Sequence, residues 1–178
     1  MGREKTTCID RAGAILIRCL WVEKRLVDLI CLKQFPEFIE VINGNKNFPS
    51  EYVHKRLEWW KKDFREIKDT FIKLFDPKQC WRDNLEGLYY WRNIIGHGHI
   101  SLYRDYLLYS AADRVNVDAM YQVLEPVKND DAMRPSVLLL NLADDKIYKR
   151  MQDVIVEFDE KYLSYEAKCL GIVYEKIR

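Results

Sequence analysis

Ser50-Glu51-Tyr52-Val53-His54-Lys55-Arg56-Leu57-Glu58-Trp59-Trp60-Lys61-Lys62-Asp63-Phe64-Arg65-Glu66-Ile67-Lys68-Asp69-Thr70-Phe71-Ile72-Lys73-Leu74-Phe75 carries an unbroken helical repeat. Val53, Leu57, Trp60, Phe64, Ile67, Phe71 and Leu74 alternate spacings of four and three, which lays apolar side chains along one seam of a helix. Lys55, Arg56, Lys61, Lys62, Arg65, Lys68 and Lys73 mix with Glu58, Asp63, Glu66 and Asp69 on the remaining faces, the pattern of a solvated surface laced with i,i+4 pairs. Ser50 stands where an N-cap belongs, and Asp76-Pro77 stops the helix because proline cannot continue it. The expectation is one helix over 50–75 with its seam, Trp60 included, in the core.

The flanking chain is helical in pattern too. From about Thr7 to Leu32 there is no proline and one glycine, Gly13. Ile9, Ala12, Leu16, Cys19 and Leu20, then Leu26, Leu29 and Ile30, recur at helical spacing. Ile15, Ile17, Trp21 and Val22 fill in the other sides, so this helix reads as the central member of a bundle or as one that also meets a second subunit. Arg11, Arg18 and Arg25, seven apart, leave a single polar stripe. Gln34 to Pro49 is a connection broken by Pro36, Asn43-Gly44-Asn45 and Pro49, in which Phe38, Ile39, Val41 and Ile42 form a short helix or cap the core.

Downstream, a helix is predicted from about Arg82 to Gly96, with Asp83 or Asn84 at its start and Leu85, Leu88, Tyr89, Arg92 and Ile95 on one face. Residues 100–142 are the least regular. Val117 to Leu124 reads as a short helix, and Val137-Leu138-Leu139-Leu140 reads equally as strand or helix. A last long helix runs from Asp144-Asp145 to about Leu170, with Ile147, Met151, Val154, Phe158, Tyr162 and Tyr165 as its buried stripe and Gly171 at its end. The sum is an all-α fold: an antiparallel helical bundle of four main helices plus short extra elements, in one domain covering residues 1–178.

Composition narrows the function. At 178 residues, with 48% apolar and 13% aromatic side chains, the chain can bury a core of its own. Its 29 basic and 28 acidic residues leave a formal net charge of +1, which excludes a generally basic nucleic-acid coat. The five cysteines are odd in number and widely spaced, with no C-x-x-C pair. They indicate neither a disulfide framework nor a zinc site, and fit a reducing cytoplasm. Charges interrupt the N-terminal apolar stretch, so it reads as neither a signal peptide nor a membrane span.

The chemistry concentrates in Trp91-Arg92-Asn93-Ile94-Ile95-Gly96-His97-Gly98-His99. Arginine offers a permanently charged fork matched to phosphate oxygens, and histidine moves protons near neutrality. With no carboxylate cluster beside them, they suit cleavage of a phosphodiester by its own 2′-hydroxyl. In that reaction His97 acts as base or acid, Arg92 holds the scissile phosphate, and Asn93 orients the groups. His99, Tyr103 and Arg104 follow closely and are candidates for holding substrate, with core packing the rival reading for the tyrosine. His97-Gly98-His99 also invites a metal site, but two ligands are too few for structural zinc, and no metal or cofactor is called for. Packing alone offers rival readings: a cation paired with Asp83 or Glu86, a locally bonded Asn93, an interior His97. Trp59 and Tyr90 are read as freer aromatic rings, available to stack bases or to meet a second copy of the chain.

The Arg92-Asn93-x-x-x-His97 pattern late in a long helix of an all-helical chain resembles the HEPN superfamily (higher eukaryote and prokaryote nucleotide-binding). Its pattern is Arg, four to six residues, then His, often with Asn directly after the Arg. Gly98 after His97 also resembles the family; Gly96, where a small residue such as alanine is usual, and residues 100–142 depart from it. The resemblance implies a metal-independent endoribonuclease working as a homodimer through the motif helix, in toxin–antitoxin, abortive-infection or antiviral settings, with RNA as substrate and an antitoxin or regulatory protein as a further partner. Alternatively it implies a non-catalytic module binding RNA, a nucleotide or a protein. A dimer is also what helix geometry favours: residues five apart lie about 140° around the axis and about 7.5 Å along it. One Arg92–His97 pair therefore does not converge simply, whereas two motifs related by a two-fold axis would surround one phosphate.

Overall fold

The computed structural model describes residues 2–44, 48–100, 106–110 and 137–175. The fold is all-α, with one small three-stranded sheet among the described residues. Five helices come first: α1 (Gly2–Gln34), α2 (Glu37–Gly44), α3 (Ser50–Trp60), α4 (Phe64–Phe75) and α5 (Gln79–His97). Strands β1 (His99–Ile100), β2 (Leu107–Ser110) and β3 (Val137–Leu140) follow, then α6 (Asp145–Glu157), a π-helical stretch (Phe158–Leu163) and α7 (Ser164–Cys169). No helix among the described residues is long and apolar enough to cross a membrane. The chain forms two compact units: Met1–Cys19 with Glu86–Val154, and Leu20–Leu85 with Ile155–Arg178.

The first unit holds the sheet. β1, β2 and β3 are antiparallel neighbours in that order, pairing His99 with Leu108 and Leu107 with Leu140. Leu107, Leu138 and Leu140 are buried, and the run at 137–140 resolves as a strand. Arg11 ties α1 to the turn after β3. One guanidinium nitrogen donates to the carbonyls of Leu142 and Ala143, each at 3.0 Å, while the other reaches Asp145 at 2.5 Å. Asp144 caps α6 by accepting from the Lys146 amide at 2.8 Å, which satisfies one of the unpaired N–H groups of its first turn. The helix expected at Val117 to Leu124 lies outside the described residues.

The second unit is built on aromatic packing. Trp81 stacks on Tyr162 with ring centroids 5.4 Å apart, and Phe71 meets Tyr162 edge-on at 6.1 Å. Phe38, from the stretch that reads as connection or short helix, is buried in α2 and meets Tyr52 edge-on at 5.7 Å.

Several expectations are corrected. The helix predicted over 50–75 is two helices, interrupted at Lys61-Lys62-Asp63. Asp63 caps α4 by accepting from the Glu66 amide at 2.8 Å, an alternative to continuing the ladder. Phe64, Ile67 and Phe71 are buried, but Val53, Leu57 and Trp60 are exposed, and Tyr52 is the buried residue of α3. Lys68, counted with the solvated face, is buried and ion-paired to Asp69 at 2.7 Å. On α1, Ile9, Ile17 and Leu20 face outward although the helix reads apolar on nearly every side. α5 begins at Gln79, a turn before Asp83, and Asp83 instead accepts from the Gln79 side chain at 2.8 Å. The last helix changes register. Its π-helical stretch closes with the Ser164 amide bonded to the Asp159 carbonyl, five residues back. The wider turn moves the inward face from Tyr165, which is exposed, to Leu163 and Ala167, and buries Asp159.

Candidate active site

The motif occupies the C-terminal end of α5 in the first unit. Leu88, Trp91, Ile94 and Ile95 are buried and fix the rotation of the helix about its axis. That rotation leaves Arg92 and Asn93 half-buried and His97 exposed, so His97 is not an interior histidine. Arg92 Nη1 donates to Asn93 Oδ1 at 3.4 Å, a long contact that orients the amide beside the guanidinium. Asn93 and His97 lie four residues apart and share a helix face. His97 is the last residue of the helix.

The two glycines around His97 play different parts. A Cβ on Gly96 would meet nothing within 4 Å. A Cβ on Gly98 would lie 2.8 and 2.9 Å from the Leu107 side chain and closer still to the Ile94 carbonyl oxygen. Gly98 is therefore needed for close approach, because the backbone leaving α5 lies against the Leu107 side chain of β2. His99 begins β1 and is exposed. The structure thus places Arg92, Asn93 and His97 on one helix end, with His99 two residues further on. Tyr103 and Arg104 lie outside the described residues. Tyr90 is buried, and Trp60 rather than Trp59 is the more exposed of the tryptophan pair, which reverses the assignment of freer rings. Among the described residues no group of three His, Cys, Asp or Glu side chains is placed to hold a metal ion.

A second polar cluster, in the second unit, was not singled out by sequence reasoning. Arg56 makes a two-point ion pair with Asp28, Nε to Oδ1 at 2.5 Å and Nη2 to Oδ2 at 3.0 Å, and the Tyr52 hydroxyl adds a contact at 3.3 Å. Burial pushes the Asp28 carboxyl above the usual range, outweighing the opposing pull of Arg56 and Arg25. Burial, reinforced by the Asp28 charge, pushes the neighbouring Cys31 thiol up to about 12. The signal was present in the sequence as an acid inside the apolar run Leu26-Val27-Asp28-Leu29-Ile30. An isolated buried carboxylate is costly, so such an acid announces a partner without naming it.

No family model, curated protein or solved structure matches the chain. The class that fold and site define is an all-α protein with Arg92, Asn93 and His97 at the C-terminal end of α5.

Proposed function

We propose that this protein is a metal-independent endoribonuclease of the HEPN type. The observation that carries the reading is the joint placement of a half-buried Arg92, its Asn93 neighbour and an exposed His97 on the last turns of α5. His97 removes the proton of an RNA 2′-hydroxyl, and the freed oxygen attacks the adjacent phosphorus. The bond from phosphorus to the 5′-oxygen breaks, and a second imidazole returns a proton to that oxygen. The products are a 2′,3′-cyclic phosphate and a 5′-hydroxyl. Arg92 holds the phosphate oxygens as charge grows on them.

The second imidazole and second arginine come from another copy of the chain, paired through the α5 ends. The open space beside Gly96 and the exposure of His97 support close approach of a second helix there. A toxin or antiviral-defence role, with an antitoxin or regulatory partner, follows from the resemblance alone.

The test is cleavage of tRNA in EDTA by wild type, Arg92→Ala and His97→Ala, with analysis of the new ends. Cyclic phosphate ends that disappear in both variants are the expected result. Equal cleavage by all three would sink the proposal, and RNA binding without turnover would move the protein to the non-catalytic class.

A further inference from the structure

Asp159 is wholly buried in the π-helical stretch and has no part in the chemistry proposed above. A partner comes to it from the C-terminal tail. α7 ends in a reversal: Gly171 takes φ +76°, its amide bonds the Lys168 carbonyl at 3.0 Å, and the Ile172 amide bonds the Ala167 carbonyl at 2.9 Å. This paired closure needs a left-handed residue, which is why a glycine stands there. The Asn43 side-chain amide of α2 donates to the Gly171 carbonyl at 2.6 Å and pins the reversal.

Residues 172–175 beyond it form no helix or strand and are held by side chains. The Tyr174 hydroxyl donates to Asp159 Oδ1. Arg25 of α1 lies 4.3 Å from the Trp21 ring centroid and 5.4 Å from that of Tyr174. Arg25 also donates to the Glu175 carbonyl at 3.4 Å and pairs with its carboxylate at 3.8 Å. Burial and the Asp159 contact raise the Tyr174 phenol well above its ordinary range, so it remains a donor at any physiological pH. Val173, between these anchors, is 88% exposed, whereas Ile172 and Tyr174 are half-buried.

We propose that residues 171–175 are a detachable strap, latched by Tyr174 on Asp159 and by Glu175 on Arg25 and tethered at Gly171 by Asn43. A short irregular segment held by a handful of polar anchors opens locally, below the cost of global unfolding. Opening exposes the Asp159 carboxylate to water and frees Arg25 from Tyr174, so one event changes the surroundings of α1, α2 and the π-helical stretch together. The strap is independent of the ribonuclease reading.

Hydrogen exchange of the full chain, read by mass spectrometry at neutral pH, tests it. In wild type the Ile172 amide, bonded to the Ala167 carbonyl, is protected, but less than the amides of α4. Tyr174→Phe speeds Ile172 exchange by about tenfold, as expected on losing one buried hydrogen bond. It leaves α4 unchanged, and Asp159→Asn on top of it adds nothing further at the tail. Should Asp159→Asn fail to fold, Asn43→Ala gives the second reading: faster tail exchange, unaltered α4. An Ile172 amide that exchanges like that of a free peptide in wild type, one unaffected by Tyr174→Phe, or one that changes only in step with α4 overturns the strap.

Discussion

α3 and α4 follow one another in the chain, share one apolar repeat, and use it in opposite ways. In α4 the repeat is the core: Phe64, Ile67 and Phe71 are buried, and Phe71 stacks on Phe75 at 4.5 Å. In α3 the same phase points outward, with Val53, Leu57 and Trp60 all exposed, and burial passes to Tyr52. Between them Asp63 caps α4 and frees it to take its own rotation. A periodic stripe thus shows that a segment can be a helix and which side chains share a face. Whether that face is covered depends on a partner elsewhere in the chain.

The strongest way to break this comparison is Phe71→Ala. It should cost about 3–5 kcal/mol, the range for emptying an aromatic core site, measured by denaturant unfolding. A loss no larger than a surface substitution would mean that α4 is not the buried partner. The glycines of α5 repeat the contrast on a smaller scale. Gly98→Ala forces a methyl against Leu107 and the Ile94 carbonyl and should cost about 1–3 kcal/mol, as overpacking does.

Asp63→Ala removes the cap that separates the two helices and should cost about 1 kcal/mol. A gain in stability would show that the interruption is strained rather than chosen. Gly96→Ala runs the other way: with open space beyond its Cα in a helical turn, it should stabilise by about 0.5–1 kcal/mol. Opposite signs at positions 96 and 98 would sharpen the assignment of the helix end that carries His97. Trp60→Ser should change stability by no more than about 0.5 kcal/mol, since the ring is exposed and rests on Arg56 at 4.8 Å. A cost near that of Phe71→Ala would mean the seam is covered after all.

Much of the fold was legible. The first helix, the stop at Asp76-Pro77, the motif helix and the start of the last helix all follow from local signals: spacing, breakers and caps. What was not legible came from distant contacts or local competition with the helix. Asp63 contends for the backbone as a cap, and the π-helical stretch slips the register so that Tyr165 is replaced inside by Ala167. At the site, the residues and their helix were readable. The exposure of His97 and the jam at Gly98 were not, because both depend on how α5 meets β2.

By itself, then, the sequence determined that this chain is helical and that Arg92, Asn93 and His97 stand together near a helix end. Hydrogen bonding within a helix is local, and its punctuation by proline, glycine and capping acids is local too. Only the tertiary structure decided which half of the 50–75 repeat is core, why Asp28 and Asp159 sit among apolar residues, and that Tyr174 returns from beyond α7 to meet Asp159. Burial and the pairing of buried charge are properties of neighbours in space, and residues 15 or more apart become neighbours only when the chain has folded.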